Sequence, residues 1–211
     1  CSWAVVKDFE LSMVLTGLLG LYLLICAYAA IGIFMSSLTS YQIVAAIGTF
    51  AVLMVLSMVG GWWQDYDFIR DVTYWLSMPG RSGKFIAGLI CSEDVLYFVI
   101  VVCLFLALTI IRLNSVRQQI RSVITLGRNI GVIFLACFLG YLSALPQLKL
   151  YHDATSTKMN TLTPNSQDIV AKLDGGMTIT TYINALDPGA SWYAAPYFLK
   201  PDMERFEQYL R

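Results

Sequence analysis

The sequence predicts an all-α polytopic membrane domain of four transmembrane helices, followed by the start of an α/β extracytoplasmic domain. Three observations carry that expectation. Four stretches, about Leu11–Phe34, Gln42–Gly60, Val95–Ile111 and Asn129–Leu148, contain no Asp, Glu, Lys, Arg or His. Each is close to the ~20 helical residues (range ~17–25) that cross a hydrocarbon layer of roughly 30 Å. The composition agrees, with 57% hydrophobic and 13% charged residues, whereas a soluble domain averages roughly 25% charged. Beyond Lys149 the chain turns polar, as a water-exposed domain requires. The formal net charge is zero, so no basic field points to nucleic acid.

The first two spans meet at Ser36–Tyr41, a short polar turn. Gly32 with Ser36, and Ala45 with Thr49, have the small-xxx-small spacing that lets helix backbones approach in lipid, so a tight hairpin is expected. Residues 61–94 mix Asp65, Asp67, Asp71, Glu93 and Asp94 with Arg70, Arg81 and Lys84 and read as an external loop. Trp62 and Trp63 suit the headgroup layer. Phe68, Ile69, Val72, Trp75 and Leu76 recur near helical spacing, which predicts a short amphipathic helix along the outer interface, ended by Pro79-Gly80. A second short element carries Phe85, Ile86, Leu89 and Ile90.

The link between the third and fourth spans carries Arg112, Arg117, Arg121 and Arg128 without an acidic residue. Cationic short loops stay on the cytoplasmic side during insertion, so this link is expected inside. The Ser36–Tyr41 turn then also lies inside, and the start of the first span, residues 61–94 and everything beyond Leu148 lie outside. In the tail, Thr163-Pro164 reads as a helix N-cap with Pro in the first turn, the helix running to about Leu173. Met177–Leu186 is rich in β-branched residues and reads as a strand. Asp187-Pro188-Gly189 is a turn, and Pro201 opens another helix with Met203, Phe206 and Leu210 on its apolar side. One strand cannot complete a sheet, so partner strands are expected downstream or on another subunit. The start at Cys1 and the helix-like stop at Phe206–Arg211 suggest a piece of a longer polypeptide rather than a mature lipoprotein.

No catalytic, cofactor-binding or metal-binding residue is assigned, and no cofactor is expected. His152 has no partner at metal spacing, and no CxxC pair exists among the five cysteines. Gly83-Lys84 looks faintly like a phosphate-binding loop, but Met78 stands where that loop needs its earlier Gly and Phe85 where it needs Ser or Thr. Ser12, Ser57 and Ser143 have no intramembrane base, and paired intramembrane aspartates are lacking, so the chain is not expected to be an enzyme. The uncharged spans also argue against a proton-coupled carrier.

The run from Ala29 through Ser36-Ser37-Leu38-Thr39-Ser40-Tyr41-Gln42 to Ala46 resembles the late hairpin of ABC-2-type transporter permeases. Lys84–Ile90, Asp94–Phe98 and Leu104–Thr109 are similar to the lead-in and body of that family's last span, closest to its gliding-motility-associated subgroup. Leu150–Leu186, notably Thr161–Ser166 and Met177–Tyr182, resembles the start of the gliding-motility auxiliary extracytoplasmic subunit. The resemblance implies a C-terminal permease half over residues 1–112, a cytoplasmic link and fourth span over 113–148, and the beginning of an auxiliary domain over 149–211. Permeases of this class have six spans, and the last three correspond to those seen here. It further implies an exporter component of a bacterial inner membrane, partnered by a cytoplasmic ABC ATPase subunit that hydrolyses ATP. A second permease half or a homodimer would complete the pathway, with lipid as solvent and no nucleic-acid partner. The competing expectation is a membrane anchor or signalling protein that presents an external interaction domain without transport.

Overall fold

The computed structural model describes residues 10–62, 66–118, 122–145 and 148–172, with a few positions between 178 and 206. Helix α1 (Leu11–Leu38) has 28 residues, or about 42 Å at the α-helical rise. The chain reverses over three residues, Thr39–Tyr41, into α2 (Gln42–Met58), which a 3-10 turn extends through Gly61. Two short helices follow, α3 (Asp67–Leu76) and α4 (Met78–Ile86), then strand β1 (Leu89–Cys91). Helix α5 (Ser92–Gln118) and α6 (Ser122–Ser143) form a second antiparallel pair. Strand β2 (Tyr151–Asp153) and α7 (Pro164–Ala171) complete the described elements. Among the described residues four helices are long and apolar enough to cross a membrane: α1, α2 with its 3-10 extension, α5 and α6.

Helix α5 packs between α1 and α6, and α1 also meets α2 and α4. The densest core is at one end of the bundle, because α4 folds back against the spans. Ala27 and Ile31 of α1, Met78 and Phe85 of α4, and Tyr97, Phe98 and Val101 of α5 are buried together. The Phe85 and Phe98 ring centroids are 6.3 Å apart, and Trp75 meets Tyr97 edge-on at 5.3 Å. Gly20 makes the approach possible, since a Cβ there would collide with Cβ of Phe85. Exposed Ile43, Ile47, Phe50 and Met54 cover the outside of α2, the surface that hydrocarbon solvates.

The expected hairpin is present. A Cβ on Gly32 would stand 3.8 Å from Thr49 Cγ2, and Ala45 is buried. Several boundaries differ from the sequence reading. The third span begins at Ser92 and runs through Arg112 and Arg117 to Gln118. The fourth begins at Ser122 and ends at Ser143, so the arginine-bearing link is largely helical rather than a loop. Arginine is a good helix former, so the arginines do not mark where the helices end. Pro79-Gly80 does not end the amphipathic helix. That helix stops at Leu76, and Pro79 sits in the first turn of α4, where its missing N–H costs no hydrogen bond. Within α3, Phe68 and Val72 are exposed whereas Arg70 and Thr73 are buried. Ile69, Trp75 and Leu76 are half-buried, Trp75 against the core, so the apolar face of α3 is divided between the protein and its outer surface.

The described residues do not show the expected α/β domain. Among the described residues the only sheet is β1–β2, antiparallel, with Leu89 opposite Asp153, Ile90 opposite His152 and Cys91 opposite Tyr151. Of the strand expected over Met177–Leu186, residues 180–184 are neither helix nor strand and Met177 lies outside the described residues. Pro188, Gly189, Pro201 and Leu210 lie outside them as well. Helix α7 does form where Thr163-Pro164 predicted, with Thr163 accepting from the Ser166 amide at 3.4 Å, but it stops at Ala171.

Candidate functional site

Charge concentrates at the end of the bundle that carries the strands. Glu93 and Asp94 occupy the first turn of α5, where the positive helix terminus favours carboxylates. Arg81 and Lys84, one turn apart on α4, face them. Arg81 Nη1 donates to Asp94 Oδ1 at 2.7 Å and Nη2 to Glu93 Oε1 at 3.3 Å. Its Nε donates to the Trp75 carbonyl at 3.3 Å, and the guanidinium lies 4.5 Å from the Tyr97 ring centroid. Lys84 Nζ is 3.9 Å from Asp94 Oδ2, and Lys149 Nζ, beyond the last span, is 2.9 Å from Glu93 Oε2. Tyr97 donates to the Leu76 carbonyl at 2.8 Å. One buried node therefore fixes the end of α3, the face of α4, the start of α5 and the start of the tail.

A second joint lies beside it. The Ser92 amide donates to the Leu150 carbonyl at 2.9 Å, and Ser92 Oγ bridges the Leu148 carbonyl at 3.2 Å and the Leu150 amide at 2.9 Å. Gly88, at φ +82°, makes the turn into β1 in a region that L side chains rarely adopt. Its carbonyl accepts from the Ala154 amide at 2.8 Å. Asp153 accepts from the amide and hydroxyl of Thr155 at 3.0 and 2.7 Å and from the Asn160 amide at 2.9 Å. Burial pushes the Asp153 carboxyl up, but these donors outweigh it and hold the group below its ordinary value. Asn160 Nδ2 reaches back to the Ala87 carbonyl at 2.9 Å, and Ser156 donates to Glu10 before α1.

The opposite end, where α1 meets α2 and α5 approaches α6, carries the arginines. Ser115 and Thr125 share a hydrogen bond of 2.7 Å between α5 and α6. Arg112 Nε and Asn129 Oδ1 are buried without a hydrogen-bond partner among the described residues. Arg117 and Arg128 are exposed, and Arg121 lies outside the described residues.

Among the described residues no group of His, Cys, Asp and Glu is placed to hold a metal ion. His152 is exposed on β2, and Cys26, Cys103 and Cys137 are free thiols. Gly83 and Lys84 are helical residues of α4 rather than a phosphate loop. Sequence reasoning missed the joining of Arg81, Glu93, Asp94, Tyr97 and Lys149. Their one legible signal was an acidic pair opening a span just after a basic pair, which read as ordinary loop charge. No protein family, curated protein or solved structure matches the chain.

Proposed function

We propose that this chain is a membrane-spanning permease component of an ATP-binding-cassette exporter, energised by a separate cytoplasmic ATPase. The observation that carries the reading is the α1–α2 hairpin. The residues that resemble ABC-2-type permeases, Ala29–Ala46, fall on two closely packed spans joined by a three-residue turn, as that resemblance requires. The arginine-bearing ends of α5 and α6 share the end of the bundle with this turn. By the tendency of short cationic connections to remain in the cytoplasm, that end faces the ATPase. The strand-bearing end then faces outward and holds the beginning of an auxiliary domain that meets the cargo. Two copies, or two permease halves, would line the route between them.

The test is co-purification of the full-length protein from native membranes, coupled to an export assay after depletion of the recovered ATPase. A nucleotide-binding subunit in the complex and loss of export support the reading; unchanged export counts against it. The anchor reading keeps one observation in its favour. Among the described residues few polar side chains are buried within the spans, and the hydroxyls of Thr16 and Thr109 donate to their own helices, to the carbonyls of Ser12 and Phe105. A chain that purifies without any nucleotide-binding partner would favour an anchor that presents an external domain.

A further inference from the structure

We infer that the seam between α5 and α6 at the arginine end binds the headgroup of an anionic phospholipid bearing free hydroxyls, of the phosphatidylglycerol type. Arg112 follows Ser92 by 20 residues (112 − 92) on one continuous helix. That rise is about 30 Å, the thickness of the hydrocarbon layer. With Ser92 at one interface, Arg112 comes level with the lipid phosphates of the other. Arg112 and Asn129 each lie one helical turn from the Ser115–Thr125 bridge on their own helices, so both line the α5–α6 seam.

The two groups present opposite needs. Arg112 Nε is a buried donor and Asn129 Oδ1 a buried acceptor, and neither has a partner among the described residues. A phosphate oxygen satisfies the first, and a glycerol hydroxyl satisfies the second. Charge favours the same occupant. Between Asp94 and Asp153 the sequence has no acidic residue, and residues 11–62, which include the α1–α2 turn at that end, have no charged residue. Arg112, Arg117 and Arg128 therefore face no carboxylate from any described element there. Around them Leu113, Val116, Ile124 and Leu126 are exposed and apolar, a setting that suits acyl chains beside a headgroup. The inference needs only that the spans lie in a bilayer, so it holds whether the chain exports cargo or anchors a domain.

The test is native mass spectrometry of the full chain titrated with phosphatidylglycerol, phosphatidic acid, phosphatidylcholine or inorganic phosphate. Retention of phosphatidylglycerol over phosphatidylcholine is expected. Arg112→Gln and Arg128→Gln should each weaken it roughly fivefold, the equivalent of about 1 kcal/mol per surface-proximal arginine. Asn129→Leu should weaken phosphatidylglycerol but not phosphatidic acid, which lacks the glycerol hydroxyls. Equal retention of phosphatidylcholine would overturn the inference, as would displacement of the lipid by inorganic phosphate at equal concentration or unchanged binding in Arg112→Gln. If Arg112→Gln does not fold, Arg128→Gln and the lipid preference of the unaltered chain decide the matter.

Discussion

Removing the Arg81 side chain tests whether the buried node holds α4 against the bundle. The Asp94 side chain is 2% exposed and takes its shortest ionic contact, 2.7 Å, from Arg81. Without Arg81 it keeps, among the described residues, only the cation of Lys84 at 3.9 Å, from a side chain that is itself 20% exposed. Breaking one partner of a buried pair costs about 3–5 kcal/mol, because an uncompensated charge is left behind. Loss of the guanidinium over Tyr97 adds about 0.5–2 kcal/mol. Arg81→Ala should therefore destabilise the protein by at least ~3 kcal/mol, measured by reversible detergent-induced unfolding in mixed micelles. In Arg81→Ala/Asp94→Asn the stranded charge is gone, so a coupling energy of roughly 1.5–3 kcal/mol should appear in the double-mutant cycle. A single-mutant loss below ~1 kcal/mol, the value of an exposed pair, together with zero coupling, would refute the reasoning.

Three further outcomes follow from the packing. Gly20→Leu should destabilise by about 1–3 kcal/mol despite the better helix propensity of Leu, because its Cβ meets Phe85, whereas Gly17→Ala, with open space around it, should be neutral or slightly stabilising in the same unfolding assay. Tyr151→Cys should form a disulfide with the native Cys91 directly opposite it on oxidation, whereas His152→Cys, pointing to the other sheet face, should not; mass spectrometry of non-reduced digests reads the result. Asp153 has a depressed carboxyl, so its contribution is fully present above the ordinary aspartate value of 3.8 and is lost as pH falls through the lower folded-state value. The protection of the Ala154 and Asn160 amides, relative to their intrinsic exchange at each pH, should fall over that acidic window, and Asp153→Asn should flatten the dependence.

The cause of each partial reading is visible in particular residues. The α1–α2 hairpin was legible because an uncharged run is a local property, and Gly32 and Thr49 are small where the helices meet. The Thr163 cap was legible because capping needs only the next few amides. The end of α3 was misplaced because Pro79 is a helix starter as readily as a stopper, and only the extended Ser77 between the helices reveals which. The reach of α5 to Gln118 was missed because Arg112 was taken as a boundary, although the backbone continues its hydrogen bonds past the charge.

The amino-acid order alone determined how many segments prefer lipid to water, since transfer of a helix into hydrocarbon depends on the side chains it carries and not on its neighbours. It also determined which connection bears the arginines. Only the tertiary structure decided that Leu89–Cys91 pairs with Tyr151–Asp153 and that Arg81, Glu93, Asp94 and Lys149 share one node. Three-residue strands are too short to carry a periodic signature. Ion pairs between distant segments form only after α4 has folded back and α5 and α6 have brought the tail alongside.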